Sequence, residues 1–194
     1  MRSSRNQRLW ALGGLAGLTL GASIVAMIAL NAAGEAALGP FSLMRIAAGY
    51  DRRAEALLVG DGGLKAEARA KAAWLSRRAL AEYPYDTSDW LRLAYVDALG
   101  HGSLSPAGVQ ALKRSYDLVA IDSFVGLWRV RFALENSQAL PADVRASVRN
   151  EVIALWKNGE NLQPLREMAR TIRNPAGRLS LALWLNRLDA AVAK

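Results

Sequence analysis

No charged side chain occurs between Arg8 and Glu35. About 20 apolar residues suffice for a helix to cross the hydrocarbon of a bilayer. The uncharged run reaches that length, although the four glycines within residues 9–33, Thr19 and Ser23 lower its mean hydropathy. A buried helix of a water-soluble domain rarely stays uncharged on every face for so long. A cleaved signal peptide is the competing reading, but its apolar core usually spans about 7–15 residues. This run is longer, and Asn31, Ala32, Ala33 and Gly34 do not form a clean Ala-x-Ala cleavage site. An uncleaved transmembrane helix is therefore expected over residues 9–33, with a lipid bilayer as its surroundings.

Arg2, Arg5 and Arg8 crowd the side before the run, whereas the far side opens with Glu35 and reaches its first basic residue at Arg45. Positive flanks stay in the cytoplasm. The expected arrangement is a cytoplasmic tail over 1–8 and a body on the other side, the periplasm in a bacterium. Trp10 stands where an interfacial aromatic belongs. Gly13, Gly17 and Gly21 recur every four residues and so share one helical face. Lacking Cβ atoms, they would let another helix, including a second copy, approach closely.

Beyond a linker over 34–47, punctuated by Gly39-Pro40, apolar residues recur at helical spacing. A first helix is expected over 41–58, ending at Gly60-Asp61-Gly62-Gly63. Ala68, Ala72, Leu75, Ala79 and Tyr83 form the next stripe, which stops at Pro84. Asp86, Thr87, Ser88 and Asp89 offer caps for a helix carrying Trp90, Leu93 and Ala94, which Gly100-His101-Gly102 would end in a loop. Ser105-Pro106 opens a helix with Val109, Leu112, Tyr116 and Val119 on one face. Phe124, Trp128 and Phe132 mark another. Pro141 opens a stripe of Val144, Val148, Val152 and Leu155. Leu162, Leu165, Ala169 and Ile172 follow, and Leu181, Leu185, Leu188 and Val192 close the chain. Ala and Leu dominate the composition, and no alternating stretch is long enough for a half-buried strand. The fold class expected is all-α: a membrane helix, then short antiparallel helices over 48–194 in a hairpin array or a bundle.

Ala72, Ala79 and Pro84 fall at the small, small and proline positions of a second helix in the 34-residue tetratricopeptide pattern. Trp90, Leu93 and Ala94 fall at the tryptophan, leucine and small positions of the following first helix, and Gly60 meets the small position of the preceding one. Residues 53–100 therefore resemble a tetratricopeptide (TPR) repeat. The pattern decays afterwards, where Gln110 and Lys113 replace small residues. The resemblance implies protein–protein interaction, and in general character the chain resembles small anchored TPR-like proteins that accompany bacterial polysaccharide or secretion machinery. In that registration Ser88, Leu91 and Tyr95 would turn to the concave side as a groove for a protein partner. In the alternative, later helices fold over Leu91 and Tyr95.

Chemistry-bearing motifs are scarce. Cysteine is absent and His101 is the single histidine, which excludes disulfides, thiolate sites and multi-histidine metal centres. His101 has no sequence-adjacent nucleophile or acid suited to catalysis. Gly60–Lys65 lacks the spacing of a phosphate loop. Asp86 and Asp89 read as helix caps. The net charge of +8 is scattered beyond the first arginines, and the tryptophans fall on or beside apolar stripes, as core residues do. Neither a cofactor nor a metal nor nucleic acid is expected. The leading reading is a non-enzymatic scaffold or accessory subunit of an envelope complex. The alternatives are a cytoplasm-facing regulator or nucleic-acid binder, and an enzyme whose site is assembled from distant residues.

Overall fold

The computed structural model describes Ala54, Leu57, Leu58 and residues 65–192. The basic residues over 1–8, the membrane helix expected over 9–33 with Gly13, Gly17 and Gly21, the linker expected over 34–47, most of the helix expected over 41–58, and Gly60-Asp61-Gly62-Gly63 lie outside the described residues. Within those described, no helix is long and apolar enough to cross a membrane.

Seven α-helices and one 3-10 turn follow one another without a strand among the described residues: α1 Ala66–Glu82, α2 Thr87–His101, α3 Pro106–Leu118, α4 Gly126–Glu135, α5 Ala142–Lys157, α6 Leu162–Thr171 and α7 Pro175–Val192. The all-α expectation holds for this part of the chain. Local chemistry explains most boundaries. Pro84 follows the end of α1, since the residue before a proline is pushed out of the helical region. Asp86 caps α2 by accepting from the amides of Ser88 at 2.8 Å and Asp89 at 3.2 Å. Ser105 caps α3 just before Pro106. Asn174 caps α7 through the amides of Ala176 and Gly177.

The first three helices run as successive antiparallel neighbours, α1 on α2 and α2 on α3. Ala72 and Ala79 are completely buried between α1 and α2, packed with Val96, while Ala94 is completely buried in the main core. Ala54, Leu57 and Leu58 join a small core with Ala72, Leu75, Ala79 and Val96. The last four helices are arranged differently. Each of α4, α5, α6 and α7 packs against the other three, so this half is a compact cluster and not a one-dimensional array, in which units touch only their neighbours. Its core joins Val130, Val148, Val152, Leu165, Leu181 and Leu185 to Leu112 and Tyr116 of α3.

Several expectations are corrected. Asp86 alone caps α2; Asp89 is fully buried and pairs with Arg92 at 2.6 Å. His101 is not a loop residue but the last residue of α2, ahead of the Gly102 cap. Phe124 precedes α4 and is 98% exposed. None of the five described tryptophans is fully buried: Trp74 is 53% and Trp128 44% exposed, while Trp90, Trp156 and Trp184 are half-buried. Indole rings are large, so they lie across the core's edge more often than inside it. Arg166 of α6 pairs with Asp189 of α7 at 3.3 Å.

Candidate functional site

The groove expected at Ser88, Leu91 and Tyr95 is filled by the chain itself. Leu91 is buried in the main core. Tyr95 meets Trp128 edge-on at 5.7 Å and Phe132 at 6.0 Å, and those two rings stack on each other at 5.1 Å. Only Ser88 stays exposed. Offset and edge-on ring contacts each add stabilisation beyond the area they bury, so α4 packs its aromatic rings onto this side of α2. No motif reveals this, because the sequence does not say that α4 turns back instead of extending the array.

The opposite side of α2 is open. There a groove of about 640 Å³ runs between α1 and α3. Trp90, Leu93, Asp97 and His101 of α2 line its floor at intervals of three and four residues, which keeps them on one face. Arg69, Ala73 and Arg77 give the α1 wall; Ala107, Ala111 and Arg114 give the α3 wall. Because consecutive helices are antiparallel, Arg77 and Arg114 flank the Trp90 end from opposite walls, and Arg69 flanks the His101 end. Arg77 and Arg114 are exposed and make no ion pair among the described residues.

Polar contacts hold this groove in shape. The Trp90 indole Nε1 donates to the Pro84 carbonyl at 3.0 Å. Ser105 donates to Asp97 through its amide at 2.8 Å and its hydroxyl at 2.7 Å. A Cβ on Gly108 would fall 2.2 Å from Asp97 Oδ2, so glycine is what lets α3 approach this carboxylate. His101 Nδ1 lies 2.9 Å from the Asp97 carbonyl oxygen, which directs the ring back onto its own helix. Asp97 thus faces the α2–α3 corner, and arginines dominate the groove's rim. The arrangement offers an apolar floor and cationic walls, suited to binding. Among the described residues no group of acids and histidine has the geometry of a metal site.

A second feature was not legible as a site. Arg129 and Glu151 are both fully buried and paired. Glu151 accepts from Arg129 Nε and from the Tyr116 hydroxyl, both at 3.0 Å, and from the Asp122 amide at 3.1 Å. Arg129 also donates to the carbonyls of Ser115 at 3.2 Å and Val119 at 2.9 Å. Burial, then the Glu151 charge, pushes the Tyr116 hydroxyl well above the usual tyrosine range. Sealed from solvent, this network ties α3, α4 and α5 together and presents nothing to a ligand. The available signal was Glu151 on the Val144–Val148–Val152–Leu155 stripe, an acid on an apolar face.

No family model, curated protein or solved structure matches the chain.

Proposed function

We propose that the chain is a membrane-anchored protein–protein interaction module, a scaffold or accessory subunit of a bacterial envelope complex. Residues 9–33 would hold it in the inner membrane, with residues 1–8 in the cytoplasm and the helical body in the periplasm. The observation that carries the binding role is the open groove along α2. A concave, mostly apolar surface with cationic walls suits a protein segment. The buried alanines at the α1–α2 crossing support the TPR-like registration for this one hairpin, and the α4–α7 cluster then serves as its cap. The Gly13, Gly17 and Gly21 face supplies a second contact, within the membrane, with a partner's helix or another copy.

Two measurements test this reading. A reporter that works only outside the cytoplasm should be active when fused after Lys194; a silent fusion, together with activity of a cytoplasm-only reporter at the same position, overturns the topology. A photoreactive residue at Gln110, on the groove wall, should give a discrete protein adduct in cells, and one at the exposed Gln163 should not. Equal adducts at both positions, or none at Gln110, overturn the groove as the interaction surface.

A further inference from the structure

The groove's two long walls carry the same charge. Arg77 rises from α1 and Arg114 from α3, both exposed, on either side of an apolar strip of Leu93 on the floor and Ala73 and Ala111 on the walls. The nearby acid, Asp97, is turned into the α2–α3 corner by Ser105. A cation on each side of an apolar trough is the complement of one particular shape. An amphipathic helix carries an apolar stripe bordered on both sides by polar residues. Laid in the trough, it would bring carboxylates on its two borders to the two walls at once. An extended strand alternates its side chains between opposite faces, so its acids would point up to solvent, away from the walls. The floor from Trp90 to His101 covers 12 residues of α2, about 16 Å end to end at 1.5 Å per rise, which matches about three turns of a guest helix.

Resting on the interaction reading above, we infer that the α1–α2–α3 groove receives an acidic amphipathic helix of another protein chain, with its apolar stripe on Leu93 and Ala111 and its carboxylates against Arg77 and Arg114. Single-stranded nucleic acid fits less well, since it needs aromatic faces for base stacking. The one indole in the trough, Trp90, is half-buried and bound to the Pro84 carbonyl.

The test uses the full chain in mild detergent and a capped, fluorescent peptide of about 14 residues, enough to fill the groove at helical rise. Its leucines follow the i, i+3, i+4, i+7 pattern and its flanking positions are glutamate; the control peptide has lysine at those positions. Fluorescence anisotropy should show the glutamate peptide binding and the lysine peptide not. The double variant Arg77→Glu and Arg114→Glu should weaken the glutamate peptide by about tenfold or more, because two attractions become two repulsions. The same variant should admit the lysine peptide. Affinity should also fall as salt rises from about 0.05 to about 0.5 M, as the Debye length shortens. The inference is overturned by equal binding of the two peptides, by no binding of the glutamate peptide, or by an affinity indifferent to the double variant. It is also overturned if a thymidine oligonucleotide or vesicles rich in phosphatidylglycerol bind in an Arg77- and Arg114-dependent way while the glutamate peptide does not. If the peptide fails while Gln110 still forms its adduct in cells, the occupant is wrong and the interaction reading stands. If the peptide binds as described while Gln110 gives no adduct, the groove's preference stands and the cellular reading falls.

Discussion

Arg129 and Glu151 face each other with no solvent reaching either side chain, Nε donating to Oε2 at 3.0 Å. The guanidinium lies over the Tyr116 ring, 4.1 Å from its centre, and its remaining N–H groups reach carbonyls at the end of α3 and just beyond it. Removing one partner strands a charge in the interior, which costs about 3–5 kcal/mol. Glu151→Leu and Arg129→Met should each lower chemical-denaturation stability by that order. The double variant should lose clearly less than the sum of the two, since it buries no lone charge. Additive losses in the cycle would show that the two groups are not a unit. The exposed Lys113–Asp143 pair is the contrast: its hydrogen bond raises the lysine and lowers the aspartate, yet Lys113→Gln should leave the melting temperature unchanged within error.

Tyr116 gives this network a pH signature. Its hydroxyl holds its proton in the folded state beyond the range where an unfolded tyrosine releases it, about pH 10. A folded value raised above the unfolded one means the stabilisation is fully present below about pH 10 and is lost as pH rises above it. Unfolding free energy should therefore fall on the alkaline side, and Tyr116→Phe should flatten that fall. The variant should be less stable near neutral pH, by about 1.5–3 kcal/mol for a bond to a charged acceptor. In ultraviolet titration of the native protein, one tyrosine should resist ionisation until the chain unfolds. If every tyrosine titrates together in the folded state, the buried bond to Glu151 is absent.

Helix positions were legible because their signals are local. Pro84, Asp86, Ser105-Pro106 and the Val144–Leu155 stripe each report on a few adjacent residues, and α1, α2, α3 and α5 follow from them. What α4 does afterwards depends on contacts distant in sequence, Tyr95 with Trp128 and Phe132, so the periodicity that places α4 as a helix cannot say which side of α2 it covers. The groove assigned to Ser88, Leu91 and Tyr95 was misplaced for that reason. The walls of the open groove did leave a trace: Arg69, Ala73 and Arg77, and Ala107, Ala111 and Arg114, each repeat at helical spacing. Basic residues beside alanines read equally well as a solvated face until a third helix is seen beneath them.

Gly177 tests the close approach of α7 to α4. A Cβ there would lie 2.0 Å from the backbone oxygen of Leu134, and backbone in a packed helix cannot swing aside as a side-chain tip can. Gly177→Ala should therefore destabilise by about 1–3 kcal/mol through overpacking, against the usual gain of alanine over glycine within a helix. A Cβ on Gly159 would meet nothing within 4 Å, so Gly159→Ala should leave the denaturation midpoint nearly unmoved. Equal behaviour of the two variants would place α7 farther from α4.

The contact between Tyr95 and Trp128 makes the last prediction, because it joins the α1–α3 layer to the α4–α7 cluster. Leu91 lies one turn earlier on the same side of α2 and is buried. Leu91→Ala should cost about 2–5 kcal/mol, whereas Ser88→Ala, at an exposed position, should cost little. Tyr95→Leu and Trp128→Leu keep apolar volume but lose ring geometry, and their double-mutant coupling should be about 0.5–1.5 kcal/mol. The same two substitutions should leave binding in the open groove unchanged, since neither residue lines it. A Leu91→Ala variant with parental stability, or zero coupling between Tyr95 and Trp128, would mean that α4 does not cover α2, and the concave site would then return to Ser88, Leu91 and Tyr95.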